Sequence, residues 1–80
     1  DSRGNELQLV DLQITSDSPY AGNQLSDTDL RKRGIMVIGI RRENGEQLMP
    51  PPGDAMIQEN DSLFVFGNSD AVNSLLATNV

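Results

Sequence analysis

The sequence predicts a small α+β domain of the order β-α-β-β-β-α, with one more short edge strand before the last strand, mainly an antiparallel sheet with two helices. Asn44 and Gly45 lie between two extended stretches, which is the pattern of a tight β-hairpin. Val72, Leu75 and Leu76 follow helical spacing and predict a C-terminal helix with one apolar stripe. Hairpin-linked strands with helices towards the ends are typical of α+β architecture.

The bulk composition limits the classes of function. The chain has 80 residues, 12 acidic against 6 basic side chains and a net charge of −6, so we expect one small domain with no nucleic-acid partner. It has no Cys and no His, which removes the thiol nucleophile and the imidazole base. We therefore predict no enzyme, no catalytic residues and no metal site. No apolar run approaches the roughly 20 residues that span a bilayer, so no membrane insertion of this segment is expected.

The first half of the chain predicts a strand, a loop and a helix. Residues 6–15 alternate between apolar and polar side chains with a phase slip, which predicts a strand with a bulge near Val10. Residues 16–23 are rich in Ser, Asp, Pro, Gly and Asn and predict a loop. Residues 26–33 begin with a capping serine and end in basic residues, which predicts a short helix that Gly34 terminates.

The centre of the sequence predicts a hairpin followed by a stiff segment. Residues 35–40 are apolar at every position except the glycine, which predicts a central strand covered on both faces. The hairpin strands are expected at 37–42 and 46–49. The three prolines at 50–52 cannot donate hydrogen bonds to a sheet and should end the second of these strands. They form either a rigid crossover or an apolar wall for a ligand or a partner.

The last third predicts two strands and a helix. Residues 54–58 are expected as a short edge strand, and residues 63–66 as a longer one. Between them Asn60 should adopt a positive φ in a tight turn. Ser69 is the expected cap of the C-terminal helix.

Five of the six basic residues are concentrated in a stretch of twelve positions. Such segregation in an acidic chain has two interpretations: charges that offset the neighbouring acids and a helix end, or an anion site. The acidic residues are scattered over caps and turns and are interpreted as solvated. The basic residues in question are Arg31, Lys32, Arg33, Arg41 and Arg42.

The order and spacing of several motifs resemble the C-terminal domain of the TrkA/RCK regulators of potassium transport, called TrkA-C or RCK-C. The resemblance covers nearly the whole chain, with residues 6–77 as the domain, 1–5 as a linker or cloning remnant, and 78–80 as a tail. Further sequence is expected upstream. The motifs that carry the resemblance are Ser18, Pro19, Gly22, Leu25, Leu30, Arg31, the stretch 38–42, Pro51, Pro52 and the stretch 61–67.

The resemblance implies a cytoplasmic regulatory domain at the inner face of the cell membrane. It implies a homodimer that gates a cation channel or transporter, in the same chain or as a partner subunit. Some members bind cyclic di-AMP in the dimer cleft, so this or another small anionic ligand is the expected cofactor. The alternative is a purely structural dimerisation module without a ligand. The ligand-binding residues that the resemblance implies are Leu30, Arg31, Lys32, Met36, Pro51 and Pro52.

Overall fold

A computed structural model of the chain describes residues 6–77 as four strands and one α-helix. The strands form one antiparallel sheet in the order β1-β4-β2-β3. This confirms the predicted α+β class and the mainly antiparallel sheet. The elements are β1 (Leu7–Gln13), β2 (Met36–Arg41), β3 (Gln47–Leu48), β4 (Ser62–Asn68) and α1 (Ser69–Ala77).

The hydrophobic core lies on one face of the sheet, which α1 and the loops cover. Val65 in β4 and Val72 and Leu75 in α1 are fully or almost fully buried. The loop after β1 and the segment before β4 add further apolar side chains, so the core reaches beyond the regular elements. Its buried members are Leu12, Ile14, Tyr20, Leu30, Ile35, Ile40, Ala55, Ile57, Leu63, Val65, Val72 and Leu75.

The predicted helix at 26–33 is wrong. This region forms a short 3-10 helix at Leu25–Asp27 and then a single turn that ends at Gly34. The hydroxyl of Thr28 donates to the carbonyl of Leu25 at 2.8 Å, which replaces a helical backbone bond with a local side-chain bond. The backbone of Thr28 is extended, with φ −84° and ψ 164°, and this separates the 3-10 helix from the turn that follows.

Two expectations about the strands also need correction. β1 pairs with β4 without a register shift, so the bulge predicted near Val10 is absent there; the irregularity lies in β2, between Val37 and Gly39. β1 carries apolar residues on both faces at its start, which produced the apparent phase slip. β2 is not covered on both faces, because Met36 is 62% exposed.

The hairpin and the segment before β4 match the sequence analysis in part. β2 and β3 pair as predicted around the turn at Gly45, which has a φ of 94°, although β3 is only two residues long. The edge strand expected at 54–58 reduces to one isolated bridge between Gln24 and Met56. Asn60 has a φ of 73°, as predicted.

The C-terminal helix is confirmed, with a different cap. The side chain of Asn68 accepts the N–H of Ala71 at 2.8 Å and so caps α1, whereas Ser69 donates to the carbonyl of Glu6. The apolar stripe is narrower than expected, because Leu76 is 50% exposed. The linker and tail expected at 1–5 and 78–80 lie outside the described residues.

Candidate ligand-binding site

The turn that precedes β2 presents two cations at the surface. The N–H of Gly34 bonds to the carbonyl of Arg31 at 3.0 Å, and the N–H of Ile35 bonds to that of Leu30 at 2.9 Å. With a φ of 83° at Gly34, this is the Schellman arrangement that ends a helical turn and redirects the chain. Leu30 is buried beneath the turn, while Arg31 and Lys32 are exposed.

A buried tyrosine anchors this turn from behind. The hydroxyl of Tyr20 donates to Asp29 at 2.9 Å and accepts from the guanidinium of Arg33 at 2.8 Å. Arg33 also donates to the carbonyl of Ser74 in α1 at 3.2 Å. Burial, and then the bond to Asp29, raise the pKa of Tyr20, with Arg33 opposing the rise. The fold thus holds the phenolic proton more tightly, and Arg33 connects the turn to the C-terminal helix.

A cavity of about 510 Å³ lies between this turn, the start of β2 and the proline segment. Its volume is within the range of small-molecule sites. Four of the six residues expected at the site, Leu30, Arg31, Met36 and Pro51, line it; Lys32 and Pro52 do not. The complete lining is Leu25, Ser26, Thr28, Leu30, Arg31, Gly34, Ile35, Met36, Val37, Pro51 and Gly53.

The prolines explain why the cavity opens beside β2. β3 pairs with β2 only at Ile40 and Arg41. After β3 the chain continues antiparallel to β2 and runs alongside residues 36–39. This stretch of the chain consists largely of prolines, which have no N–H groups. Residues 36–39 therefore have no strand partner on that side within the described chain, and Val37 faces the cavity from an open strand edge. Such an edge offers backbone donors and acceptors to a ligand.

Backbone bonds fix the opposite wall of the cavity. The N–H of Leu25 donates to the carbonyl of Ala55, and that of Ser26 donates to the carbonyl of Gly53, both at 2.8 Å. The N–H of Ala55 in turn bonds to the carbonyl of Pro52 at 3.0 Å. The 3-10 helix and the proline segment are thus held to each other, so the cavity is largely preformed.

The structure separates the five clustered basic residues into two groups. Arg33, Arg41 and Arg42 have partners: Tyr20 for the first, Asp11 at 3.8 Å for the second and the buried Asp61 for the third. Within residues 6–77, the side chains of Arg31 and Lys32 make no ion pair or hydrogen bond. Three of the five cations therefore stabilise the fold, and of the other two Arg31 lines the cavity.

Several residues of this site are not predicted from the sequence. Ser26 and Thr28 add hydroxyl groups to the lining, and Val37 adds the strand edge. Only the third of these had a sequence signal, namely the proline run that stops the neighbouring strand. Across the described part of the chain, no group of acidic side chains could hold a metal ion, and no helix is long and apolar enough to span a membrane.

The chain is similar to known proteins of potassium transport. The K⁺/H⁺ antiporter subunit KhtT of Bacillus subtilis (strain 168) is 27% identical over 73 residues, which are 90% of this chain and 44% of that protein. The chain thus spans less than half the length of this curated relative. The RCK C domain of the potassium transport protein KtrA, solved with cyclic di-AMP, has a TM-score of 0.74 at 26% identity over 90% of this chain and 82% of that one.

A second solved structure matches the fold. The RCK_C domain dimer of S. agalactiae BusR, solved with cyclic di-AMP, has a TM-score of 0.75 at 17% identity and covers 86% of this chain and 91% of that one. At this identity the likeness concerns the fold alone. The family profile described as the TrkA-C domain matches residues 9–78. The chain therefore belongs to the TrkA-C (RCK-C) family, whose members are regulatory domains of potassium transport systems.

Proposed function

We propose that this domain regulates a potassium channel or transporter by binding a small anionic, nucleotide-like ligand in the cavity beside β2. The observation that carries the proposal is the combination of a free guanidinium, apolar walls and an open strand edge around one preformed cavity. We take residues 6–77 as the regulatory unit. Its transport protein would be part of the same chain or a partner subunit, at the cytoplasmic face of the membrane.

The lining chemistry suits a phosphorylated purine. The guanidinium of Arg31 can bind a phosphate through charge-assisted hydrogen bonds. The backbone edge at Val37 can pair with the polar edge of a base, while Leu30, Ile35 and Pro51 offer apolar contact to its ring. Cyclic di-AMP, with which the KtrA domain was solved, combines these groups and is the first ligand to test.

Regulation would act through a homodimer, because the BusR domain is described as a dimer in its solved structure. A ligand shifts transport only if it binds one arrangement of the two copies better than another. Conversion of a mostly inactive population into a mostly active one needs about 5.5 kcal/mol of differential binding, which several subunits can share. Arg31 and Met36 at the rim of the cavity are the groups through which a bound ligand would reach a neighbouring copy.

A dimerisation module without a ligand is the second candidate. The feature that favours it is Met36, an apolar side chain that is 62% exposed at the edge of the cavity and could simply pack against a second copy. In that case the cavity would fill with partner side chains.

Isothermal titration calorimetry with cyclic di-AMP and other nucleotides separates the two candidates. We expect saturable binding of at least one nucleotide to the wild-type chain. Arg31→Ala should weaken it about tenfold or more, since a hydrogen bond to a charged group contributes about 1.5–3 kcal/mol. Arg41→Ala is the matched control, because Arg41 is exposed but lies outside the cavity lining. Absence of heat with every nucleotide would favour the structural module.

A further inference from the structure

The last turn of α1 receives its cation from a distant part of the chain. α1 has no basic residue in its own last turn. Instead the guanidinium of Arg33, 41 residues earlier, donates to the backbone carbonyl of Ser74 at 3.2 Å and to its hydroxyl at 3.4 Å. The last four carbonyls of a helix lack partners within the helix, and a cation there also complements the helix dipole. Arg33 therefore stabilises the end of α1 from outside the helix.

The same guanidinium is bonded to the turn that carries Arg31. It donates to the hydroxyl of Tyr20 at 2.8 Å, and that hydroxyl donates to Asp29 at 2.9 Å. Asp29 and Arg33 enclose the turn, because the N–H of Arg33 bonds to the carbonyl of Asp29 at 3.0 Å. Tyr20 is only 6% exposed, so it holds a fixed position between these two side chains. A continuous series of hydrogen bonds thus runs from the turn to α1.

The backbone of this turn also lies close to α1 and to the end of β4. A Cβ on Gly34 would lie 3.6 Å from the Cβ of Ala71 in α1. A Cβ on Gly67, in β4, would lie 2.8 Å from the carbonyl oxygen of Gly34. Because no long side chain separates these segments at Gly34, the turn has little room to shift without displacing its neighbours.

On its other side the turn borders the cavity. Leu30 and Arg31 line the cavity and lie between Asp29 and Arg33 in the sequence. A phosphate bound to Arg31 would therefore restrain the same short segment that Tyr20 and Arg33 restrain from behind. Two restraints on one segment reinforce each other, because each removes conformational freedom that the other would otherwise have to remove.

We propose that Tyr20 and Arg33 are positioning residues that couple occupancy of the cavity to the order of the last turn of α1. This inference rests on the proposed ligand site and adds the element to which binding is transmitted within the domain. A bound ligand would hold the turn in place, keep Arg33 on the carbonyl of Ser74 and reduce fraying of the helix end. By thermodynamic linkage, the ordered helix end strengthens ligand binding by the same factor.

Amide hydrogen exchange with and without saturating cyclic di-AMP tests the coupling. In the wild type the ligand should slow exchange of amides 33–35 in the turn. It should also slow exchange of amides 75–77 in α1 by about fivefold or more, the low end of the range for coupled sites. In Tyr20→Phe and in Arg33→Gln, the ligand should still slow exchange in the turn but no longer in α1. A merely structural role would lower protection in both segments and leave the effect of the ligand on α1 intact.

Arg41→Gln is the matched control for Arg33→Gln. It removes a guanidinium that lies outside both the cavity lining and this series of hydrogen bonds, so the ligand should still slow exchange in the turn and in α1. Circular dichroism of each variant checks that it remains folded.

The outcomes separate this inference from the proposed function. If neither cyclic di-AMP nor ATP changes exchange at any amide, the proposed function and the coupling are both contradicted. Protection of the turn without protection of α1 in the wild type contradicts the coupling alone. Protection of α1 that persists in Tyr20→Phe or in Arg33→Gln contradicts the role of these two residues.

Discussion

The guanidinium of Arg42 donates to the carboxylate of Asp61, and both side chains are nearly buried, 12% and 2% exposed. Asp61 also accepts the N–H of Gln58 at 2.8 Å, and Arg42 donates to the carbonyl of Met56 at 2.7 Å. The pair therefore ties the turn of the β2–β3 hairpin to the turn before β4. The interpretation of the acidic residues as solvated is therefore wrong for Asp61, which is buried and stabilises the fold.

Asp61→Ala should destabilise the fold strongly. It leaves a buried guanidinium without its counter-charge, for which a loss of about 3–5 kcal/mol is typical. Asp11→Ala is the control, because its pair with Arg41 is about half exposed and should be worth no more than about 1 kcal/mol. Urea denaturation of both variants measures the difference, and equal losses would contradict this role for Asp61.

Because of Tyr20, the stability of the fold should depend on pH in the alkaline range. Because burial raises its pKa, the folded chain holds the phenolic proton more tightly than the unfolded chain does. This contribution is fully present below about pH 10, the ordinary pKa of tyrosine, and is lost as the pH rises through the folded value. Tyr20 is the only tyrosine, so tyrosinate absorbance in native buffer and in urea reports both pKa values directly.

Tyr20→Phe provides the control for this effect. The variant should lose about 1–2 kcal/mol at neutral pH, since Asp29 and Arg33 both lose a partner. Its stability should fall less steeply than that of the wild type above pH 10. Identical alkaline profiles for the two proteins would show that the phenol is not protected by the fold.

Gly67 and Gly39 should respond differently to alanine. A Cβ on Gly67 would lie 2.8 Å from the backbone oxygen of Gly34, in the turn that Tyr20 anchors, so backbone must move. We expect a loss of about 1–3 kcal/mol. A Cβ on Gly39 meets mainly the end of the Met49 side chain, which is exposed and can rotate away, so the cost should stay below about 1 kcal/mol. Thermal unfolding compares the two variants, and a larger loss at Gly39 would refute this reasoning.

The elements that depend on residues close together in sequence were predicted from the sequence. The hairpin around Gly45, the positive φ of Asn60 and the apolar stripe of α1 follow from backbone preference and periodicity. The helix expected at 26–33 is wrong because the backbone at Thr28 is extended and divides the segment. The N–H groups of Leu25 and Ser26 bond to the carbonyls of residues 55 and 53, contacts that no local pattern encodes.

The candidate site was predictable only in part. The resemblance to a family implied Leu30, Arg31, Met36 and Pro51, which meet at one cavity although they are separated in sequence. The partners of Arg33 and Arg42 could not be inferred, because Tyr20 and Asp61 lie 13 and 19 residues away and the fold alone brings them together. Composition therefore indicated a basic cluster without distinguishing its structural members from its free ones.

We propose that the cavity between the turn at Arg31, the edge of β2 and the proline segment binds a small anionic ligand. Amide chemical-shift mapping during titration with cyclic di-AMP tests this proposal at each residue of the cavity. We predict that the largest shifts occur at Arg31, Met36, Val37 and Gly53, and that they disappear in Arg31→Ala at the same ligand concentration. Shifts that centre on Glu43 in the hairpin turn and Glu59 in the turn before β4, or the absence of any shift up to millimolar ligand, would contradict this proposal.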